Sequence, residues 1–216
     1  MYPLTKKKPK SLLNINKKPF LYYQLKLLEK FKFKEIILCV GHFSKDIIKF
    51  ISKEKFKFKI TIASDGKKLV GTGGAIKKIL NILDDNFFVI YGDSLLKLNY
   101  NLLKKKFEKS NKDNIMCIKL NKSKIENSNV KIFKKNIYYN KSNNLDSDYK
   151  YIDYGCSILS KKSFLYIKKN IFDLGFVFKK LCDKKLIDFY ITKNNYYEIG
   201  SKYGYKKLKS QFNKIY

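Results

Sequence analysis

Four short stretches of this 216-residue chain combine residue types that handle phosphates, cations or sugars. Gly71-Thr72-Gly73-Gly74-Ala75 places three glycines where a loop should pass into a helix. Glycine lets backbone approach a ligand closely, and a helix N-terminus favours negative charge. A nucleotide or sugar phosphate fits there, and so does a plain turn. Tyr91-Gly92-Asp93-Ser94 closes an apolar run. In an open α/β sheet the ligand crevice lies at the carboxyl ends of strands. A carboxylate there can hold Mg²⁺, which takes one or two carboxylates and fills its shell with water and phosphate. A turn or helix-cap aspartate is the other use. Glu198, in Tyr196-Tyr197-Glu198-Ile199-Gly200-Ser201, could be a second metal ligand, although spacing alone suits a surface glutamate better. Asp153, in Tyr151-Ile152-Asp153-Tyr154-Gly155, could accept hydrogen bonds from sugar hydroxyls or serve a turn.

These residues need a scaffold, and the apolar pattern supplies one. Helical spacing predicts helices over residues 19–30, 44–53 (capped by Ser44), 73–83, 100–109, 162–169, 174–184 and 202–212. Short apolar or alternating runs predict strands at 35–40, 57–63, 87–91, 115–120, 130–133, 137–139, 152–159, 186–190 and 196–199. Residues 64–68, 121–129 and 143–149 read as loops. Strands alternating with helices imply a mostly parallel sheet covered on both faces, an α/β Rossmann-like three-layer arrangement. One domain with an irregular C-terminal half is the simplest organisation.

Composition narrows the function classes. The formal charge is +30, yet all 48 basic residues are lysine, and there is neither arginine nor tryptophan. The abundant Lys, Asn, Ile, Phe and Tyr follow from codons rich in A and T. The lysines run from end to end, and arginine, the better bidentate phosphate and guanine reader, is absent. A solvated basic surface, with no specific nucleic-acid partner, is the expectation. No apolar run approaches a membrane span, and the first residues form no secretory signal, so a cytoplasmic protein without a membrane partner is expected. Cys39, Cys117, Cys156 and Cys182 form no close pair and read as buried, reduced thiols. The single His42 reads as structural.

Taken in order, the motifs resemble the sugar-phosphate nucleotidyltransferase family over nearly the whole chain. Pro3-Leu4-Thr5 with Lys8-Pro9-Lys10-Ser11-Leu12-Leu13 is similar to its Pro-Leu-Thr…Pro-Lys-Pro-Leu-Leu segment, and Lys18-Pro19-Phe20-Leu21 with Tyr23-Gln24 to the helix that follows. Leu69-Val70-Gly71-Thr72-Gly73-Gly74-Ala75 resembles its Leu-Gly-Thr-Gly-Gly-Ala loop, and Tyr91-Gly92-Asp93-Ser94 its Gly-Asp-Ser/Thr motif. Ser128-Asn129-Val130, Tyr139-Asn140-Lys141 and Ile152-Asp153-Tyr154-Gly155 resemble a subgroup with Asp-Tyr-Gly in place of Asn-Ala-Gly, and Glu198-Ile199-Gly200-Ser201 resembles the terminal Asp/Glu-Ile-Gly-Ser/Thr.

The resemblance implies transfer of a nucleotidyl group from a nucleoside triphosphate to a sugar 1-phosphate, with release of pyrophosphate. It implies that Asp93 and Glu198 hold Mg²⁺, that Lys10 touches triphosphate, and that Lys141 holds the sugar phosphate. Gly71, Thr72, Gly73 and Gly74 would cradle the nucleotide, and Asp153 with Gly155 the sugar. It further implies a nucleotide-binding half over 1–120 and a sugar-phosphate half over 121–216. The Gly-Thr-Gly-Gly-Ala-Ile run resembles guanylyltransferases of mannose or heptose 1-phosphate, hence polysaccharide precursor synthesis. The family's first strand, its Gly-rich loop and the arginine ending that loop would precede Pro3, and they are missing from this sequence. The expectation is a truncated or misassigned start, with an inactive relative acting as a nucleotide-sugar or partner binding module as the alternative.

Overall fold

In the computed structural model, which describes residues 2–66, 68–122, 127–142 and 146–215, the apolar runs form seven α-helices and ten strands. In chain order these are α1 (Phe20–Leu28), β1 (Glu35–Val40), α2 (Ser44–Ile51), β2 (Lys59–Ser64), α3 (Gly71–Lys78), β3 (Asn86–Ile90), β4 (Ser94–Leu96) and α4 (Tyr100–Glu108). Then follow β5 (Ile115–Leu120), β6 (Val130–Phe133), β7 (Asn136–Tyr139), β8 (Tyr151–Ser160), α5 (Lys162–Leu165), α6 (Leu174–Asp183), β9 (Asp188–Thr192), β10 (Tyr196–Glu198) and α7 (Lys202–Ile215). Parts of the loops expected at 64–68, 121–129 and 143–149 lie outside the described residues.

The chain divides into two compact units. The first comprises Met1–Leu69, Tyr91–Lys97 and Asn195–Tyr216. In it β1 and β2 form a parallel pair from Glu35↔Lys59 to Val40↔Ser64. The short strands β4 and β10 pair antiparallel, with Ser94 opposite Glu198. A buried cluster of Ile15, Phe20, Tyr23, Leu95, Ile199, Leu208, Phe212 and Ile215 joins α1, β4 and α7. This unit also corrects two expectations. Ser44 does not cap α2: the cap is Phe43, held at φ 63, and no side chain bonds the helix end. Cys39, as a whole residue, is exposed rather than buried.

The second unit comprises Val70–Ile90 and Leu98–Asn194. Its sheet runs β7-β6-β8-β5-β9, with β3 also paired to β8. β3, β5, β6 and β9 run one way, while β7 and β8 run the other. Four of the six strands therefore share one direction, with β8 inserted antiparallel between β3 and β5. Its centre is the apolar run of β5: Ile115 to Ile118 are 0% exposed. β8 bulges between Asp153 and Ser157 where it passes Met116–Ile118, and Gly155 takes φ 88 there. A bulge of this kind re-aims the side chains beside it. The Lys134-Lys135 turn between β6 and β7 has φ 46 and φ 64, the positive pair of a type I′ hairpin. The helix expected over 162–169 ends after one turn at Leu165.

Candidate functional site

In the first unit, Asp93 and Glu198 come together through strand register. Asp93 immediately precedes Ser94, whose partner across the β4–β10 ladder is Glu198. The Ile199 N–H donates to the Asp93 carbonyl at 2.9 Å, which ties the two segments once more. Leu95 and Ile199, the apolar neighbours of the two carboxylate segments, are 2% and 0% exposed, so both rest on a packed core. A Cβ built on Gly200 would stand 2.9 Å from Glu198 Oε2 and 3.3 Å from Asp93 Oδ2. Both carboxylates thus face one stretch of glycine backbone. Glu198 is not the free surface glutamate that spacing favoured. Its carboxylate accepts from the N–H and hydroxyl of Ser201, and the Ser201 hydroxyl accepts from the Gly204 N–H at 2.9 Å. That arrangement caps α7, where the helix dipole also favours negative charge.

Lys10 completes the group. Its Nζ donates to Asp93 Oδ2 at 2.7 Å. Lys10 also lines a cleft of about 360 Å³ with Thr5, Lys8, Pro9, His42, Phe43 and Gly200. His42, expected as structural, is exposed on this cleft wall.

The carboxylate pair fits a hard divalent cation. Two oxygen ligands leave most of an octahedral shell to water and phosphate, as magnesium prefers. An ammonium already sits against Asp93, which shows that the position accepts positive charge. Among the described residues there is no group of three or more His, Cys, Asp or Glu side chains suited to a metal. A closed, all-protein metal cage is therefore not what these residues build.

In the second unit, Gly71 to Gly74 and Lys141 lie around the start of α6. Gly71 to Gly74 form the first turn of α3 rather than a loop before it, which corrects the expected helix start at Gly73. Their glycine character has a local cause. A Cβ on Gly71 would stand 2.5 Å from the Phe172 carbonyl oxygen, and one on Gly73 would collide with the Phe172 ring. The Phe172 carbonyl accepts from the N–H groups of both Gly73 and Gly74, at 3.0 Å each. Thr72 returns the favour: its Oγ1 accepts from the Leu174 N–H at 2.8 Å, at the head of α6. Lys77 holds the same strap, donating to the Ile167 carbonyl at 2.6 Å and the Lys169 carbonyl at 3.0 Å.

Lys141 lies at the same helix head, its Cε 3.1 Å from a Cβ built on Gly175. It also lines a small recess with Asn127, Ser128, Asn129 and Ser142. Tyr139 packs beside it, 4% exposed, and its hydroxyl has no hydrogen-bond partner among the described residues. Burial pushes the Tyr139 phenol well above its usual range, and the charge of Asp153 adds to that. Asp153 is fixed by its surroundings: its N–H donates to Asn129 Oδ1 at 2.8 Å, and its Oδ1 accepts from the Gly155 N–H at 2.9 Å. The bulge at Gly155 makes that contact possible.

Sequence reasoning passed over Gln24, Lys77 and Tyr139 as site residues. Gln24 had a readable signal. It sits on the buried face of α1 among Phe20, Leu21, Tyr23, Leu25 and Leu28. A buried amide needs partners, so such a position asks what it bonds. Lys77 carried no signal, because the carbonyls it bonds are distant in sequence.

The first unit thus sets a strand-end carboxylate in register with a second carboxylate, beside a cleft lined by Lys8 and Lys10. The chain belongs to the nucleotidyl transferase family, whose model matches residues 1–129. It is 36% identical over 99 residues to D-glycero-alpha-D-manno-heptose 1-phosphate guanylyltransferase of Campylobacter jejuni, covering 44% of this chain and 43% of that one. It is 29% identical over 109 residues to UTP--glucose-1-phosphate uridylyltransferase of a Synechocystis species, covering 45% of this chain and 28% of that one. The match thus spans less than half the length of either relative. The fold matches the crystal structure of HddC from Yersinia pseudotuberculosis with a TM-score of 0.80 at 24% identity, over 94% of this chain and 90% of that chain. That likeness establishes the Rossmann-like α/β fold. Among the described residues no helix is long and apolar enough to cross a membrane.

Proposed function

We propose that this protein transfers a nucleotidyl group from a nucleoside triphosphate to a sugar 1-phosphate. An oxygen of the sugar phosphate attacks the α-phosphorus, the bond to the β-phosphate oxygen breaks, and pyrophosphate leaves. The observation that carries this reading is the pairing of Asp93 and Glu198 against Gly200, with Lys10 on Asp93. In such a displacement the protein aligns the reactants and offsets negative charge. Mg²⁺ held by Asp93 and Glu198 would supply charge neutralisation on the triphosphate.

Lys10 leaves Asp93 for the triphosphate in this reading. Lys141 holds the sugar phosphate, and Asp153, oriented by Asn129 and Gly155, accepts from sugar hydroxyls. Gly73 and Gly74 spend their N–H groups on Phe172, so the nucleotide contact falls mainly to Gly71 and Thr72. Residues 1–120 carry most of the nucleotide contacts and 121–216 those to the sugar phosphate, as one functional domain. The heptose 1-phosphate guanylyltransferase relative supports a guanine nucleotide and a heptose- or mannose-type sugar, hence polysaccharide precursor synthesis in the cytoplasm.

The test is pyrophosphate release across a panel of nucleoside triphosphates and sugar 1-phosphates. The protein is expressed from its own gene with any in-frame codons upstream of Met1. Release with at least one pair, dependent on divalent cation, is expected. No release from any pair contradicts the reading.

A further inference from the structure

We infer that Gln24 is the positioning residue of the Asp93 turn: its side-chain amide holds both ends of the Tyr91–Ser94 turn, so that the Asp93 carboxylate is aimed at Glu198. The inference rests on the reading of Asp93 as a metal ligand. Gln24 is 7% exposed on α1. Its single amide nitrogen donates to the Tyr91 carbonyl at 2.8 Å and to the Ser94 carbonyl at 2.9 Å. Those two carbonyls bracket Gly92-Asp93. The turn's own bond, from the Ser94 N–H to the Tyr91 carbonyl, is longer at 3.3 Å. Gly92 faces open space, since a Cβ there would meet nothing within 4 Å.

The turn is therefore held from two sides, by Gln24 at its carbonyls and by the Ile199 N–H at Asp93 itself. Few side chains can do what Gln24 does. Leucine has the size without the donors. Glutamate has the shape but turns acceptors toward carbonyl oxygens. Asparagine keeps the NH₂ on a chain one carbon shorter. A buried carbonyl left without its donor drives the turn to rearrange.

Mn²⁺ binding, read by electron paramagnetic resonance, tests this on the full chain without turnover. Gln24→Leu, Gln24→Glu and Gln24→Asn are compared with Asp93→Asn at a temperature where circular dichroism shows each folded. The expected result is a roughly tenfold loss of Mn²⁺ affinity in the Gln24 variants and a larger loss in Asp93→Asn. A merely structural glutamine would lower the melting temperature and leave the affinity of the folded protein alone, and that result overturns the inference. If Asp93→Asn binds Mn²⁺ as the wild type does, the metal reading falls and this inference with it. If Asp93→Asn loses binding while folded Gln24 variants keep it, the inference alone falls. Should no Gln24 variant fold, the wild type decides: its Gln24 side-chain amide protons must exchange slowly with solvent, and fast exchange overturns the inference.

Discussion

Gly204, in the first turn of α7, lies directly against the carboxylate of Glu198: a Cβ at residue 204 would occupy the space of Glu198 Oε1. Glycine in a helix interior ordinarily costs ~0.5–1 kcal/mol relative to alanine. Here that cost makes room for an acid group. Gly204→Ala, whose Cβ would also stand 2.6 Å from the Glu198 carbonyl oxygen, should push both the carboxylate and the end of β10 away from Asp93. The expected outcome is at least a tenfold loss of Mn²⁺ affinity with no fall in helical content. Unchanged affinity would show that Glu198 has no part in cation binding.

Lys10 stands where a cation would approach Asp93. Its side chain is 47% exposed and that of Asp93 is 27% exposed, so the pair contributes little to stability, on the order of 1 kcal/mol at most. Removing it frees a carboxylate oxygen and one like charge. Lys10→Met should therefore raise Mn²⁺ affinity about two- to fivefold without nucleotide, and lower nucleoside triphosphate affinity. Calorimetry reads both. A drop in Mn²⁺ affinity would place Lys10 in some other role.

The Lys134-Lys135 hairpin carries avoidable strain. Both lysines sit at positive φ, which costs a side chain of this kind roughly 1 kcal/mol and costs glycine almost nothing. Changing the pair to Asn-Gly should stabilise the fold by about 0.5–1 kcal/mol per residue, read from the urea midpoint. An unchanged or lower midpoint would mean the lysine side chains hold the hairpin by other contacts.

The four thiols should be slow to react. Desolvation, helped by the charge of Asp65, pushes the Cys39 thiol up to about 11 even though the residue as a whole is exposed. Burial, and then Asp183, pushes Cys182 up to about 12, and burial also drives Cys117 and Cys156 well above the usual thiol range. A raised thiol pKa keeps the neutral form at pH 8, and only the thiolate attacks. Labelling of native protein at pH 8 should run at least tenfold slower than in urea and speed up as pH rises toward 11. A fast-reacting thiol in the native protein would contradict this.

Much of the scaffold was legible because it is written in local pattern. β1 and β6 begin and end where their apolar runs do, and α1, α4 and α6 match theirs within two residues. What local pattern could not carry was decided at long range. The N–H groups of Gly73 and Gly74 turn to the Phe172 carbonyl, on a strap far along the chain that the glycine run itself does not announce. Glu198 looked like a surface residue until β10 paired with β4, a three-residue strand too short to announce itself. The bulge at Gly155 that aims Asp153 depends on register against β5, which no local window contains.

In the proposed reaction Asp93 and Glu198 share one cation. Mn²⁺ titration of the wild type, Asp93→Asn, Glu198→Gln and the double variant measures that claim most directly. Each single change should cost at least tenfold in affinity, and the double variant little more than the worse single, because a shared ion is lost once. Single variants that bind as the wild type does would show that the two carboxylates do not serve the same ion.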